Sequence, residues 1–238
     1  MDPPNELNVI YKQMIQDKIP EKATPTLMIM YGPPGSGKGF MTNHILTNNA
    51  PLSNISTINI DIDHVISQLA SYKREIAICK EYFESLSDSK IDPKMIQLAN
   101  QIYLKYRTAK DELSQCPEDI TTRLITYALT NKLNIIHETT GHSIDWIIDP
   151  LIKNARSANY TIYVIYLVTK DSIIMDRLLS RAKFDGRFPN LEFVKESITK
   201  AQLNIKTLIP FVDFIDIYDN NSTPQKIKTL KGQLSSLI

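Results

Sequence analysis

The chain has 238 residues, of which 42% are hydrophobic and 22% are charged, a composition typical of a globular protein. Its 27 Lys and Arg residues against 26 Asp and Glu give a net charge of +1, which argues against a protein that coats long nucleic acid. Cys79 and Cys116 are too few for a disulfide framework, and no apolar run reaches membrane-spanning length. We therefore expect a cytoplasmic, intracellular protein with no membrane partner.

Apolar strand patterns alternate with helical patterns along the chain. Residues 5–19 predict an amphipathic helix with Leu7, Ile10, Met14 and Ile15 on one side, within an N-terminal extension over residues 1–24. Strands are predicted at 27–31, 56–62, 133–138, 160–168 and 214–219. Helices are predicted at 38–47, 119–131, 143–158, 171–183, 190–208 and 224–237. This alternation predicts an α/β fold with a five-stranded parallel sheet flanked by helices.

The connection between the second and third predicted strands is too long for one crossover. Residues 64–118 carry apolar side chains at helical spacing among balanced charges. We interpret this segment as a helical insertion of two or three helices over the sheet, within a single domain that spans residues 1–238.

Four of the seven glycines fall within residues 32–39, which read GPPGSGKG. The segment follows a strand and opens a helix, the context of the P-loop, or Walker A, motif. Such glycines let backbone N–H groups turn toward phosphate oxygens, and Lys38 adds a cation at the β- and γ-phosphates. The predicted nucleotide-binding residues are Gly32, Pro33, Pro34, Gly35, Ser36, Gly37, Lys38, Gly39 and Phe40.

Gly39 stands where this motif commonly has the Ser or Thr that binds Mg²⁺. We therefore expect Mg²⁺ to be held largely through water, with Ser36, Thr42 and Asp61 as the candidate protein groups.

Two carboxylates end the second predicted strand. Asp61 and Asp63 would point to the same side, about 6.5–7 Å apart along the strand. Carboxylates at this edge of an open sheet can hold Mg²⁺ through water or take a proton from an attacking hydroxyl. The alternative is that Asp63 caps the helix that follows it.

The third predicted strand ends in a polar sequence, His137-Glu138-Thr139-Thr140-Gly141. Because a buried charge needs a partner or a ligand, we interpret Glu138 as a ligand-binding residue. The four histidines, His44, His64, His137 and His142, are better explained as structural or surface residues than as catalytic ones.

Three of the seven arginines fall within residues 177–187. Arg177 and Arg181 are four residues apart and share a helix face, and Arg187 follows a glycine turn. Phosphoryl transfer needs positive charge at the transferring oxygens, which the arginine fork supplies well. The alternative is a solvated helix face. We interpret residues 176–190 as an arginine-bearing lid.

The motifs, in this order, resemble the zeta toxin family of P-loop kinases. The matching segments are MIMYGPPGSGKG, INIDIDHV, IIHETTGHS, YVIYLV and DRLLSRAKFDGRFP. The resemblance implies a kinase that uses ATP or GTP to phosphorylate a sugar hydroxyl of UDP-N-acetylglucosamine. It further implies that Lys38 binds the donor phosphates, that Asp63 is the base, and that Arg177 or Arg181 acts with Arg187 on the phosphoryl group. The residues expected at the acceptor are Asp61, Glu138 and Thr140.

Two positions depart from the family pattern. Thr139 stands where the family usually has Gly, and Gly39 stands where it usually has Ser or Thr. Two other functions therefore stay open. One is a nucleoside monophosphate or polynucleotide 5′-hydroxyl kinase, and nucleic acid is the less favoured partner because the charge is balanced. The other is a nucleotide-binding module without turnover that binds a partner protein through residues 64–118. The motifs do not assign a toxin role or an antitoxin partner.

Overall fold

A computed structural model describes residues 5–48, 52, 55–86, 91–111 and 115–232 of the chain. Its sheet has six strands in the order β2-β3-β1-β4-β5-β6. They are β1 (Thr26–Tyr31), β2 (Thr57–Ile60), β3 (Asn134–Thr139), β4 (Thr161–Val168), β5 (Phe214–Asp219) and β6 (Gln225–Lys231). The first five strands are parallel to their neighbours, and β6 is antiparallel to β5. The predicted α/β fold with a mostly parallel sheet is confirmed, with six strands instead of five.

Helices flank the sheet. They are α1 (Glu6–Ile15), α2 (Lys38–Asn48), α3 (Ile62–Gln68), α4 (Ala70–Ser85), α5 (Pro93–Thr108), α6 (Pro117–Thr130), α7 (Ile144–Trp146), α8 (Asn154–Ser157), α9 (Asp171–Asp185) and α10 (Leu191–Leu208). A π-helical segment, Ile147–Lys153, joins α7 to α8, and a 3-10 turn, Ile209–Phe211, follows α10. Among the residues described, no helix is both long enough and apolar enough to cross a membrane.

The central strand β1 is buried on both faces, because helices cover both sides of a parallel sheet. Leu27, Ile29 and Tyr31 pack into the larger apolar cluster, and Met28 and Met30 pack into the smaller one on the opposite face. The continuous run LMIMY therefore reflects a strand with no solvent-facing side.

The prediction of a helix at 224–237 is wrong within the described residues, because Gln225–Lys231 forms the edge strand β6. The reason is the buried Asp216 carboxylate on β5, which needs donors. Lys226 Nζ donates to its Oδ2 at 2.9 Å, and Thr229 Oγ1 donates to its Oδ1 at 2.5 Å. Tyr163 OH on β4 also donates to this carboxylate. Residues 233–237 of the predicted helix lie outside the described residues.

Helices α3, α4 and α5 occupy the segment between β2 and α6. Helix α4 packs along α9, the helix that carries Arg177 and Arg181. Gly186, the C-cap of α9, lies close to α4, since a Cβ atom there would be 2.7 Å from the carbonyl oxygen of Ile76. Helix α5 packs against α3, α4 and α6. The long connection thus lies against the lid segment.

The sheet register brings three loops to one edge. Met30 of β1 is level with Glu138 of β3, and Ile60 of β2 is level with His137. The chain therefore leaves β1, β2 and β3 at neighbouring points, on the carboxyl edge where open α/β sheets bind ligands.

The Asp216 contacts predict that Thr229→Val destabilises the protein. The substitution keeps the side-chain shape and removes one donor to a buried carboxylate, so the free energy of unfolding should fall by about 1.5 kcal/mol. Urea unfolding measures this change. Thr199→Val, an exposed position on α10, is the control and should change the free energy by less than about 0.5 kcal/mol. Equal effects at the two positions would contradict the role of Asp216.

Candidate functional site

The glycine-rich loop, residues 32–39, joins β1 to α2 in a conformation that needs glycine. Gly35 and Gly37 have φ values of 79° and 91°, which other residues rarely adopt. A Cβ atom on Gly37 would also lie 2.2 Å from Asn220 Nδ2. Any side chain at position 37 would displace the loop.

The carbonyl oxygen of Ser36 is held from three directions. Asn220 Nδ2 donates to it at 2.6 Å, Thr169 Oγ1 at 3.2 Å and Arg177 Nη1 at 3.3 Å. Arg177 Nη2 also donates to the Asn220 carbonyl at 2.8 Å. The loop is therefore fixed by residues from the β4–α9 connection, from α9 and from the segment after β5.

Lys38 begins α2 and folds back over the loop. Its Nζ donates to the carbonyl oxygens of Gly32 and Pro33 at 2.8 and 3.1 Å. Burial lowers the pKa of Lys38, and the negative charges of Glu138, Asp63 and Asp61 oppose that effect. The Lys38 amino group thus lies among carboxylates from the ends of two neighbouring strands.

Asp61, and not Asp63, caps the helix that follows β2. The strand ends at Ile60, and the Asp61 carboxylate accepts from the Asp63 backbone N–H at 2.9 Å. The prediction that both side chains extend from the strand is therefore wrong, because the helix begins at Ile62. Burial, together with the charges of Asp63 and Glu138, raises the pKa of Asp61 to about 7.

Asp63 lies in the first turn of α3 with both carboxylate oxygens engaged. Oδ2 pairs with Arg187 Nη1 at 2.5 Å, and Oδ1 accepts from Tyr103 OH at 2.8 Å. Burial alone would raise the pKa of Asp63, but the charge and hydrogen bond of Arg187 lower it to about 2. Asp63 is therefore an anion at neutral pH, bonded to the lid.

Glu138 lies beside the start of α2. Its Oε1 accepts from Thr42 Oγ1 at 2.9 Å, and a Cβ atom on Gly39 would lie 3.7 Å from the same oxygen. Burial raises the pKa of Glu138, and the Lys38 charge opposes the rise. The carboxylate thus lies next to the position that carries Ser or Thr in the usual motif. Ser36, which was also expected near Mg²⁺, has a fully buried side chain.

The three lid arginines have different surroundings. Arg187 lies with its guanidinium carbon 4.0 Å from the centre of the Tyr103 ring. Among the described residues, Nε and Nη2 of Arg181 are buried without a hydrogen-bond partner. Arg177 instead supports the loop through Ser36. Arg181 therefore has donors that an anionic ligand could use.

A cavity of about 1730 Å³ joins these groups. Of the predicted site residues, its lining includes Pro34, Gly35, Gly37, Lys38, Gly39, Asp61, Asp63, Glu138, Thr140, Arg177, Arg181 and Arg187. Phe40 is 60% exposed and stacks on His44.

Three of the histidines, His64, His137 and His142, line the cavity. His137 is buried, packs on Trp146, and burial lowers its pKa to about 4. His142 Nε2 lies 2.9 Å from Lys200 Nζ.

Sequence reasoning missed Tyr103 and Asn220. Tyr103 lies 40 positions from Asp63, inside a segment interpreted only as a helical insertion, and Asn220 follows the last parallel strand. Asn220 at a strand end is a weak signal of a site residue, whereas nothing local marks Tyr103.

The raised pKa of Asp61 predicts how stability depends on pH. The folded protein holds this proton more tightly than the unfolded chain, so the free energy of unfolding falls as pH rises from the ordinary value of 3.8 to about 7. Asp61→Asn keeps a good helix cap and removes this pH-dependent loss of stability, because asparagine does not titrate. The Tm of the variant relative to the natural protein should rise by about 5 °C between about pH 5 and about pH 8 in a metal chelator.

Asp92→Asn is the matched control, since Asp92 is an exposed cap of α5 whose carboxylate accepts from Lys94 N at the same 2.9 Å. The Tm change that Asp92→Asn causes is subtracted from that of Asp61→Asn at each pH. A pH-independent difference for Asp61→Asn would show that the carboxyl titrates normally.

Comparisons with known proteins give the family and the fold of this chain. The family model for zeta toxin matches residues 103–227, more than half of the chain. A relative from Acanthamoeba polyphaga mimivirus, uncharacterized protein L872, is 25% identical over 236 residues, which cover 91% of this chain and 67% of the relative.

Among solved structures, one from the PezAT chromosomal toxin–antitoxin system of Streptococcus pneumoniae superposes with a TM-score of 0.63. It is 14% identical, and the match covers 96% of this chain and 81% of that one. The AvrRxo1-ORF1:-ORF2 structure with ATP has a TM-score of 0.47 and 12% identity, with 93% and 64% of the two chains covered.

The family match and the fold lead to one conclusion. The chain belongs to the zeta toxin family, and it is a phosphotransferase of the kinase type that uses a nucleotide as phosphoryl donor.

Proposed function

We propose that the protein transfers the γ-phosphoryl group of ATP or GTP to a hydroxyl group of a small acceptor, with a nucleotide sugar such as UDP-N-acetylglucosamine as the leading candidate. The observation that carries this proposal is the cavity at the carboxyl edge of the sheet. It is lined both by the cations that phosphoryl transfer needs, Lys38, Arg181 and Arg187, and by Asp61 and Asp63.

The glycine-rich loop and Lys38 form the donor side. Lys38 Nζ now satisfies its hydrogen bonds on two loop carbonyl groups, and the triphosphate would offer it anionic oxygens instead. Arg177 and Asn220 act behind the loop, where they keep the Ser36 carbonyl turned away from the phosphates.

Oxygen atoms of the kind that Mg²⁺ prefers lie beside Lys38, because Glu138 and Asp61 line the cavity and Thr42 Oγ1 bonds to Glu138. Glu138 and Thr42 would hold Mg²⁺, with Asp61 through water, and the ion would neutralise charge on the β- and γ-phosphates. The Glu138 carboxylate, 3.7 Å from the Cβ position of Gly39, compensates for the missing Ser or Thr side chain.

Asp63 is the proposed base, although its pair with Arg187 makes it a weak one in the present arrangement. A γ-phosphoryl group in the cavity competes for Arg187, and the loss of that cation raises the pKa of Asp63. Asp63 then takes the proton of the acceptor hydroxyl while the oxygen of that hydroxyl forms a bond to the γ-phosphorus. The bond to the β–γ bridging oxygen breaks, and the nucleoside diphosphate leaves.

Arg181 and Arg187 stabilise the transferring group in this proposal. The unpaired Arg181 nitrogens would donate to the phosphoryl oxygens, where charge accumulates. Thr140, which follows β3, would contact the acceptor, whereas Glu138 and Asp61, the other residues expected at the acceptor, would serve Mg²⁺ instead.

Lys38→Ala should abolish transfer. We would incubate the protein with ATP or GTP, Mg²⁺ and a panel of nucleotide sugars, nucleosides, nucleoside monophosphates and 5′-hydroxyl oligonucleotides. Mass spectrometry would detect the added phosphate group. We expect a phosphorylated nucleotide sugar with the natural protein and with Lys206→Ala, an exposed control on α10, and none with Lys38→Ala.

Two results would contradict the proposal. Phosphate on a nucleoside monophosphate or an oligonucleotide alone would identify one of the other kinase reactions. No product above the Lys38→Ala background with every acceptor would identify a nucleotide-binding module without turnover.

Arg181→Ala should lower kcat by about 100-fold to 1000-fold with a smaller effect on triphosphate affinity, because its free donors are matched to charge that develops during transfer. Steady-state kinetics and calorimetry with a non-hydrolysable triphosphate separate the two effects. Arg74→Ala, at an exposed position on α4, should match the natural protein. An unchanged kcat for Arg181→Ala would remove this residue from the site.

A further inference from the structure

Tyr103, on α5, contacts both charged partners of the central ion pair. The residue is only 9% exposed, its hydroxyl donates to Asp63 Oδ1 at 2.8 Å, and its ring lies 4.0 Å from the guanidinium carbon of Arg187. Tyr106, on the same helix, makes both kinds of contact with Glu75 and Lys105, but these three residues do not line the cavity, whereas Tyr103, Asp63 and Arg187 do.

We propose that Tyr103 is a positioning residue of the phosphotransfer site: its hydroxyl orients the Asp63 carboxylate, and its ring supports Arg187. The proposal rests on the function proposed above, and it assigns part of that site to the long connection between β2 and β3.

The two carboxylate oxygens of Asp63 have separate partners. Tyr103 occupies Oδ1, and Arg187 occupies Oδ2. When Arg187 moves toward a phosphoryl group, the Tyr103 hydroxyl still holds Oδ1, so Oδ2 is the oxygen that faces the acceptor. Rotation of the free carboxylate is restrained at the moment when its orientation determines proton transfer.

The ring has a second effect on Arg187. A guanidinium group stacked on an aromatic face keeps that attraction while its hydrogen-bond partner changes. Arg187 can therefore exchange the Asp63 carboxylate for a phosphoryl oxygen without losing its contact with Tyr103.

Tyr103 is itself contacted by Arg107, one turn further along α5, which links it to α6. Arg107 Nη1 lies 3.5 Å from the Tyr103 hydroxyl, and Arg107 pairs with Glu118 of α6 at 2.8 Å. The other charged or titratable groups that act on Asp63 or respond to its charge are Lys38, Asp61, Tyr72, Glu138, Arg181, Asp185 and Arg187. Of the described residues, Tyr103 and Arg187 are the ones whose side chains bond directly to the Asp63 carboxylate.

Two substitutions separate the hydroxyl from the ring. Tyr103→Phe keeps the ring, so phosphate release from ATP with water as acceptor should fall about 10-fold or more, with the ATP-analogue Kd changed less than about twofold. Tyr103→Leu also removes the ring, so the Kd should rise about threefold or more. Tyr106→Phe is the matched control on the same helix, because its hydroxyl donates to Glu75 at 2.9 Å, away from the cavity.

A double-mutant cycle tests whether Tyr103 acts through Asp63. In the Asp63→Asn background, Tyr103→Phe should cause no further loss of phosphate release, and the Tm decreases of the two substitutions should not add. Unchanged phosphate release for Tyr103→Phe, or losses that multiply in the double variant, would overturn the proposal.

The experiments distinguish a failure of the proposed function from a failure of the positioning role of Tyr103. If the natural protein releases no more phosphate than Lys38→Ala, the proposed function fails. The Tm cycle and the analogue Kd then decide on Tyr103: additive Tm changes and an unchanged Kd for Tyr103→Leu overturn its positioning role.

Discussion

The ion pair between Asp63 and Arg187 joins two parts of the chain that are more than 100 residues apart, and most of the site depends on it. Asp63 comes from the helix after β2, and Arg187 follows the lid helix α9. Isolated, either charge would be costly in this half-buried position. Paired, each charge compensates the other, and both residues line the cavity.

The parallel sheet determines where the other charges meet. Because β1 lies between β3 and β4, the loop after β1 faces the strand ends of both neighbours. Lys38 therefore faces Glu138 on β3, and Asp61 follows β2, the next strand beyond it; the charges of both carboxylates oppose the effect of burial on the pKa of Lys38. The same sheet edge receives Asn220, which follows β5 and supports the loop from the other side.

Much of this arrangement could be predicted from local patterns. The apolar run of β1, the glycines and Lys38 are adjacent in sequence, so their geometry follows from a strand, a tight turn and a helix start. Strand β6 could not be predicted in the same way. Its lysine-rich pattern is ambiguous alone, and it forms a strand because the buried Asp216 on β5 takes hydrogen bonds from Lys226 and Thr229.

The amino-acid sequence by itself determined the fold class, the glycine-rich loop, the acidic strand ends and the arginine-bearing segment, because each depends on neighbouring residues and their periodicity. Only the tertiary structure decided how these parts act on one another. It made Asp61 the helix cap, bonded Asp63 to Arg187 and Tyr103, and turned Arg177 toward the loop. Hydrogen bonds and charge interactions of this kind depend on distances across the fold, which no local pattern specifies.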